Sequence, residues 1–108
     1  MRGSKVPVPM EICRFYIMLA LSKEPMHGYA IAEQVLGDSL GSLYFRSSTL
    51  SRMLRDLEGR GWVERVPAYF SEGPARITYA LTDSGRKYVK AEAGNLWHAT
   101  GLARRRLP

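Results

Sequence analysis

Ser47-Ser48-Thr49-Leu50-Ser51-Arg52-Met53-Leu54-Arg55-Asp56-Leu57-Glu58-Gly59-Arg60-Gly61, followed without a break by Trp62-Val63-Glu64-Arg65-Val66, changes its hydrophobic period at Gly61. Before that glycine, Leu50, Met53, Leu54 and Leu57 recur at i, i+3, i+4 and i+7, which is one face of a helix. After it the run is short and rich in β formers, as a strand is. Ser47, Ser48 and Thr49 are candidate N-caps, because their hydroxyls can accept from the free amides of a first helical turn. Gly61 suits the position just past the helix end, where glycine takes a left-handed backbone without steric penalty.

Toward the C-terminus, Ile77, Tyr79 and Leu81 alternate with Arg76, Thr78 and Ala80 and predict a second strand. Pro67 to Pro74 separates the two strands, with Ser71-Glu72-Gly73-Pro74 as turn chemistry, so a hairpin with a long exposed connection is expected. Thr82 is placed to cap a last helix, with Asp83 in its first turn where negative charge suits the dipole. That helix carries Tyr88, Val89, Ala93, Leu96 and Trp97 and is expected to reach about Arg105. Toward the N-terminus, Ile12, Phe15, Tyr16 and Leu19 define one face of a helix over Pro9 to Leu21. Ile17, Ala20 and Leu21 widen that stripe, and Pro25 stops the helix because the residue before proline avoids the α region. A shorter helix covers Gly28 to Leu36 with Ile31 and Val35 inward, and the turn-rich Gly37 to Ser42 closes it. Gly28 is expected to sit where another backbone approaches closely.

The order is helix, helix, helix, strand, strand, helix. The expected class is therefore α+β: a winged helix-turn-helix of three helices and a two-stranded wing, with a C-terminal dimerisation helix. Residues 1–8 read as a flexible N-terminal segment, 9–82 as the winged-helix DNA-binding domain, and 83–108 as the dimerisation helix with a basic tail. The last helix finds no room in one chain's small core. A homodimer is expected to cover Val89, Ala93, Leu96 and Trp97, with help from the first helix.

Composition agrees with this scale. A chain of 108 residues is one domain with a modest core, and 45% hydrophobic with 24% charged residues is ordinary for a globular protein. Sixteen Lys and Arg against ten Asp and Glu give a formal charge of +6, which admits nucleic acid or an anionic surface as partner. The single cysteine, Cys13, excludes an intrachain disulfide and a multi-thiolate zinc site, and it is expected to be a buried small residue. The longest apolar run, Phe15 to Leu21, falls far short of the about 20 residues a spanning helix needs, so a cytoplasmic protein without membrane contact is expected. His27 and His98 are the only histidines; His27 is expected to make a structural hydrogen bond rather than bind a metal. No nucleophile elbow, phosphate loop or zinc-hydrolase motif is present, so neither catalysis nor a cofactor is expected.

The solvent side of the helix over Ser48 to Arg60 offers Ser51, Arg52 and Arg55. Arginine's planar fork donates two hydrogen bonds at once and suits guanine or phosphate. Ser47, Ser48 and Thr49 are placed to meet phosphate at the helix start. Arg46 precedes that helix, Arg65 and Arg76 flank the wing, and each is positioned to neutralise one phosphate of double-stranded DNA.

Several pieces of the chain, in order and spacing, resemble the PadR-like transcriptional regulators, in particular the short members with a single C-terminal helix. They are Tyr16 to Leu21, Pro25-Met26-His27-Gly28-Tyr29-Ala30-Ile31, Ser48-Thr49-Leu50, Leu54 to Glu58, Gly61-Trp62-Val63-Glu64 and Tyr79 to Arg86. The resemblance covers about residue 12 to residue 90. It implies a homodimeric winged-helix repressor of a roughly palindromic operator. It also implies that Trp97 is loosely similar to the tryptophan with which some members hold a planar aromatic small molecule between subunits; indole packing in a dimer interface is the other reading of that residue. The chain departs from the family pattern at Ser51, where a tyrosine is usual, and in Ala68 to Arg76, which carries fewer basic residues. That reduced wing charge, with Asp56 and Glu58 on the reading helix, keeps a second function class open: a winged-helix module for protein–protein assembly.

Overall fold

The computed structural model describes residues 8–67 and 77–108. Among them the chain forms α1 (Met10–Lys23), β1 (Met26–His27), α2 (Gly28–Asp38), α3 (Ser47–Gly59), β2 (Val63–Val66), β3 (Thr78–Leu81) and α4 (Asp83–Arg106). The α+β winged-helix order is the one expected. The expected turn at Ser71 to Pro74, Arg76, and the N-terminal segment up to residue 7 lie outside the described residues.

The sheet has one more strand than expected. Its order is β1-β3-β2, fully antiparallel, with Met26 opposite Tyr79 and Val63 opposite Leu81. β1 is two residues long, too short to show any periodicity in sequence. It ends at His27, which is also the N-cap of α2: its Nδ1 accepts from the Ala30 amide at 3.3 Å. That is the structural hydrogen bond expected of it. Gly28 next to it is not crowded by backbone, contrary to expectation. A Cβ there would meet only the Leu50 side chain at 3.8 Å, ordinary contact.

The core joins α1, α2, α3, the sheet and the start of α4. Leu50, Met53, Leu54 and Leu57 of α3 and Ile31 and Val35 of α2 are buried, as their spacing requires. α1 departs from the expected phase. Its buried seam is Cys13, Ile17, Ala20 and Leu21, with Met18, whereas Ile12, Phe15, Tyr16 and Leu19 are only half-buried. In a helix apolar on nearly every side, spacing alone does not select the innermost face. Burial pushes the Cys13 thiol up from its ordinary value, against the nearby Arg14 charge.

The same carbonyl-capping turn ends α2 and α3. After α3 the amides of Gly61 and Trp62 donate to the carbonyls of Glu58 and Leu57, both at 3.0 Å, with Gly61 at φ 78°. After α2 the amides of Leu40 and Gly41 donate to Gly37 and Leu36, and here a leucine occupies the left-handed position at φ 56°.

α4 is clamped to the α3–β2 junction. The Thr82 hydroxyl accepts from the Gly85 amide at 3.0 Å and donates to the Gly61 carbonyl at 2.6 Å. At Gly85 any Cβ would overlap the Trp62 carbonyl, so only glycine fits there. One turn on, the Tyr88 ring stacks on Trp62 at 3.9 Å between centroids. Val89 follows, 7% exposed and part of this chain's own core. The expectation that Val89 needs a second chain is therefore corrected: it is already buried in this chain's own core. Beyond it α4 runs to Arg106 with Ala93 exposed, Leu96 half-buried and Trp97 80% exposed. No helix among the described residues is long and apolar enough to cross a membrane.

Candidate nucleic-acid interface

α3 buries one stripe and presents its opposite. Leu50, Met53, Leu54 and Leu57 face the core, and Ser48, Ser51, Arg52 and Arg55 follow the same i, i+3, i+4, i+7 rule on the outside, all four exposed. Two arginines one turn apart thus share a face with two hydroxyls. The start of the helix differs from expectation. The N-cap is Arg46, with extended backbone and no side-chain cap bond, so Ser47, Ser48 and Thr49 form the first turn instead of capping it. Their amides have no partner within the helix, and amides in that position suit an anion such as phosphate.

The acidic residues of α3 lie in its second half and are engaged. The Asp56 carboxylate accepts from Arg60 Nε at 2.9 Å and lies 3.7 Å from Arg14 of α1. Glu58 accepts from Arg65 Nε at 3.1 Å across to β2. Arg60 also lies over the Trp62 ring, 5.4 Å from its centre. Arg14 is mostly buried and its Nε finds no hydrogen-bond partner among the described residues.

Of the arginines singled out in the sequence, Arg46, Arg52 and Arg55 are exposed and without an ion pair among the described residues. Arg65 is exposed but already tied to Glu58. Arg76 lies outside the described residues. The structure thus brings Arg46, Ser47, Ser48, Thr49, Ser51, Arg52 and Arg55 together on one helix and its entry. Trp97, Leu96 and Ala93 sit apart, on the distal part of α4.

Sequence reasoning missed two residues beside the start of α3. Tyr29 and Tyr44 are 68% and 65% exposed, and with Ser47 and Ser51 they border one open cleft. Tyr44 lies past the turn-rich Gly37 to Ser42, between the buried Leu43 and Phe45, and this apolar trio ahead of α3 was the available signal.

Comparison with known proteins agrees with this architecture. Residues 17–91 match the model of the transcriptional regulator PadR-like family. No curated protein matches the chain. Among solved structures, a transcriptional regulator from Clostridium thermocellum superposes with a TM-score of 0.75 at 18% identity, covering 94% of this chain and all of its own. A PadR family transcription regulator from Clostridium difficile gives 0.76 at 22% identity, covering 88% of this chain and 97% of that one. Bacillus subtilis PadR, solved in complex with operator DNA, gives 0.64 at 22% identity over 76% of this chain and 47% of that one.

Proposed function

The chain belongs to the PadR-like family, which is one of transcriptional regulators rather than enzymes, and we propose that it is a homodimeric, cytoplasmic repressor that reads a palindromic operator through α3. In this reading residues 9–82 are the DNA-binding unit and 83–108 the dimerisation segment. The amides and hydroxyls of Ser47, Ser48 and Thr49 hold a phosphate, Arg46 neutralises another, and Ser51, Arg52 and Arg55 reach base edges in the major groove. Arg65 and Arg76 steer the flanking backbone. The observation that carries the reading is the outer stripe of α3, whose cations are uncommitted while its two acids are closed off by Arg14, Arg60 and Arg65. That closure weakens one of the two grounds for an assembly module; the other, the sparse charge of Ala68 to Arg76, lies outside the described residues. The operator complex of Bacillus subtilis PadR supports the same use of the fold.

A two-fold pairing of α4 would cover Ala93, Leu96 and Trp97 and bring the two indoles near one another. A planar cation held there would alter operator affinity if it favours one dimer geometry over the other.

Fluorescence anisotropy with a labelled random duplex is the direct test. Affinity should fall steeply with salt, by about 0.9 decades per decade of salt for each phosphate contact. A flat salt response, or no binding at low salt, would return the assembly reading to the front. Sedimentation should give a dimer at micromolar concentration. Ethidium should quench the native protein's tryptophan fluorescence and lose affinity in Trp97→Ala.

A further inference from the structure

Beside the start of α3 lies an open cleft of about 450 Å³, within the range of small-molecule sites. The buried residues Phe45, Leu50 and Leu54 make its floor. Its sides are Tyr29 and Tyr44, two large aromatic residues left mainly in solvent although such rings gain most from being covered. His27 borders it as well, fixed by the hydrogen bond from Ala30 and with its ring plane within 14° of that of Tyr29. Ser47 and Ser51 complete the border with hydroxyls. Among the described residues, no lysine, arginine, aspartate or glutamate lines it.

We propose that this cleft binds a neutral, planar aromatic compound of two or three rings, and that its occupant competes with duplex DNA for the start of α3. A flat ring matches the aromatic sides and the apolar floor. Neutrality follows from the lining, because no lysine, arginine, aspartate or glutamate among the described residues stands there to pair a charge that would lose hydration on half-burial. One hydroxyl on the compound suffices to meet the serine hydroxyls, each of which both donates and accepts. Competition follows from shared residues: Ser51 lines the cleft and stands on the outer stripe of α3, and Ser47 lies in its first turn. The site is separate from Trp97, which is on α4. The binding half of the proposal stands on the cleft alone, and the competition half rests on the DNA-binding reading above.

The test uses 2-naphthol with the full chain. Titration should show saturable binding, with amide shifts centred on Gly28, Phe45 and Ser51. Tyr44→Ala, which removes one side of the cleft, and Ser51→Phe, which fills it, should each weaken binding at least fivefold with unchanged thermal unfolding. Trp97→Ala should bind as the native chain does. Native-strength binding in either cleft variant, loss of binding in Trp97→Ala, or no saturable binding at all would overturn the site. In the native chain, saturating 2-naphthol should lower duplex affinity at least fivefold, an effect that Tyr44→Ala should abolish, and an unchanged native affinity would overturn the competition. A chain that binds no duplex in the absence of naphthol would defeat the DNA reading, while the naphthol titration would still decide the cleft.

Discussion

The two ends of α3 differ in composition and in behaviour: hydroxyls and arginines stand at the first, and both acids at the second. From Ser47 to Arg55 the exposed arginines are uncommitted. From Asp56 to Arg60 the acids are tied to cations from α1, from the helix itself and from β2. Formal charge counted along the helix would make it nearly neutral. The geometry instead leaves the arginines of the first half unpaired and closes the charges at the other end. The Asp56–Arg60 and Glu58–Arg65 pairs are partly exposed and add little to stability, a median of about 0–1 kcal/mol. Their consequence lies in the shape of the field, which concentrates on the free half.

The contrast between the halves is open to direct attack. The largest effect is expected in the free half: Arg52→Ala or Arg55→Ala should lower duplex affinity about fivefold to 150-fold, the 1–3 kcal/mol of a bidentate contact. Both side chains are exposed, so the thermal midpoint should stay put, and anisotropy with thermal unfolding checks both statements. An intermediate effect of opposite sign is expected from Asp56→Asn. Removing this carboxylate frees Arg60 and loosens Arg14, so affinity for random duplex should rise about threefold. The salt dependence should steepen by about one further phosphate contact. Its stability cost should be about 1 kcal/mol by urea unfolding, as Asp56 and Arg60 are nearly half exposed. The smallest effect is expected from Arg65→Ala, less than about threefold in duplex affinity, because its guanidinium is already shared with Glu58. A loss as large as that of Arg52→Ala would erase the distinction.

Much of this was legible in the chain, and the reasons for the gaps are physical. The α3 stripe emerged correctly because apolar and polar residues there are cleanly segregated. The phase of α1 did not, because Phe15 to Leu21 is apolar throughout and every phase fits. β1 was missed because two residues carry no period, and its pairing to β3 is a long-range event. Val89 was assigned to a partner because sequence does not reveal that Gly85 lets α4 lie against the Trp62 backbone, which brings the next turn into the core. The exposed face of α3 could be named from spacing. Which of its charges are engaged could not, since that depends on Arg14 and Arg65 arriving from other elements.

Leu40 has a consequence of another kind. It holds the left-handed position that ends α2, 93% exposed, where the matching turn after α3 has glycine. A non-glycine residue held there costs about 1 kcal/mol, so the approach to α3 carries a strain that nothing else in the turn requires. Relief should be simple: Leu40→Gly should raise the thermal midpoint by about 2–4 °C, the part of that strain left after glycine's greater freedom in the unfolded chain is subtracted. Such a variant would be a sturdier background in which substitutions on the outer face of α3 can be studied without loss of folded protein.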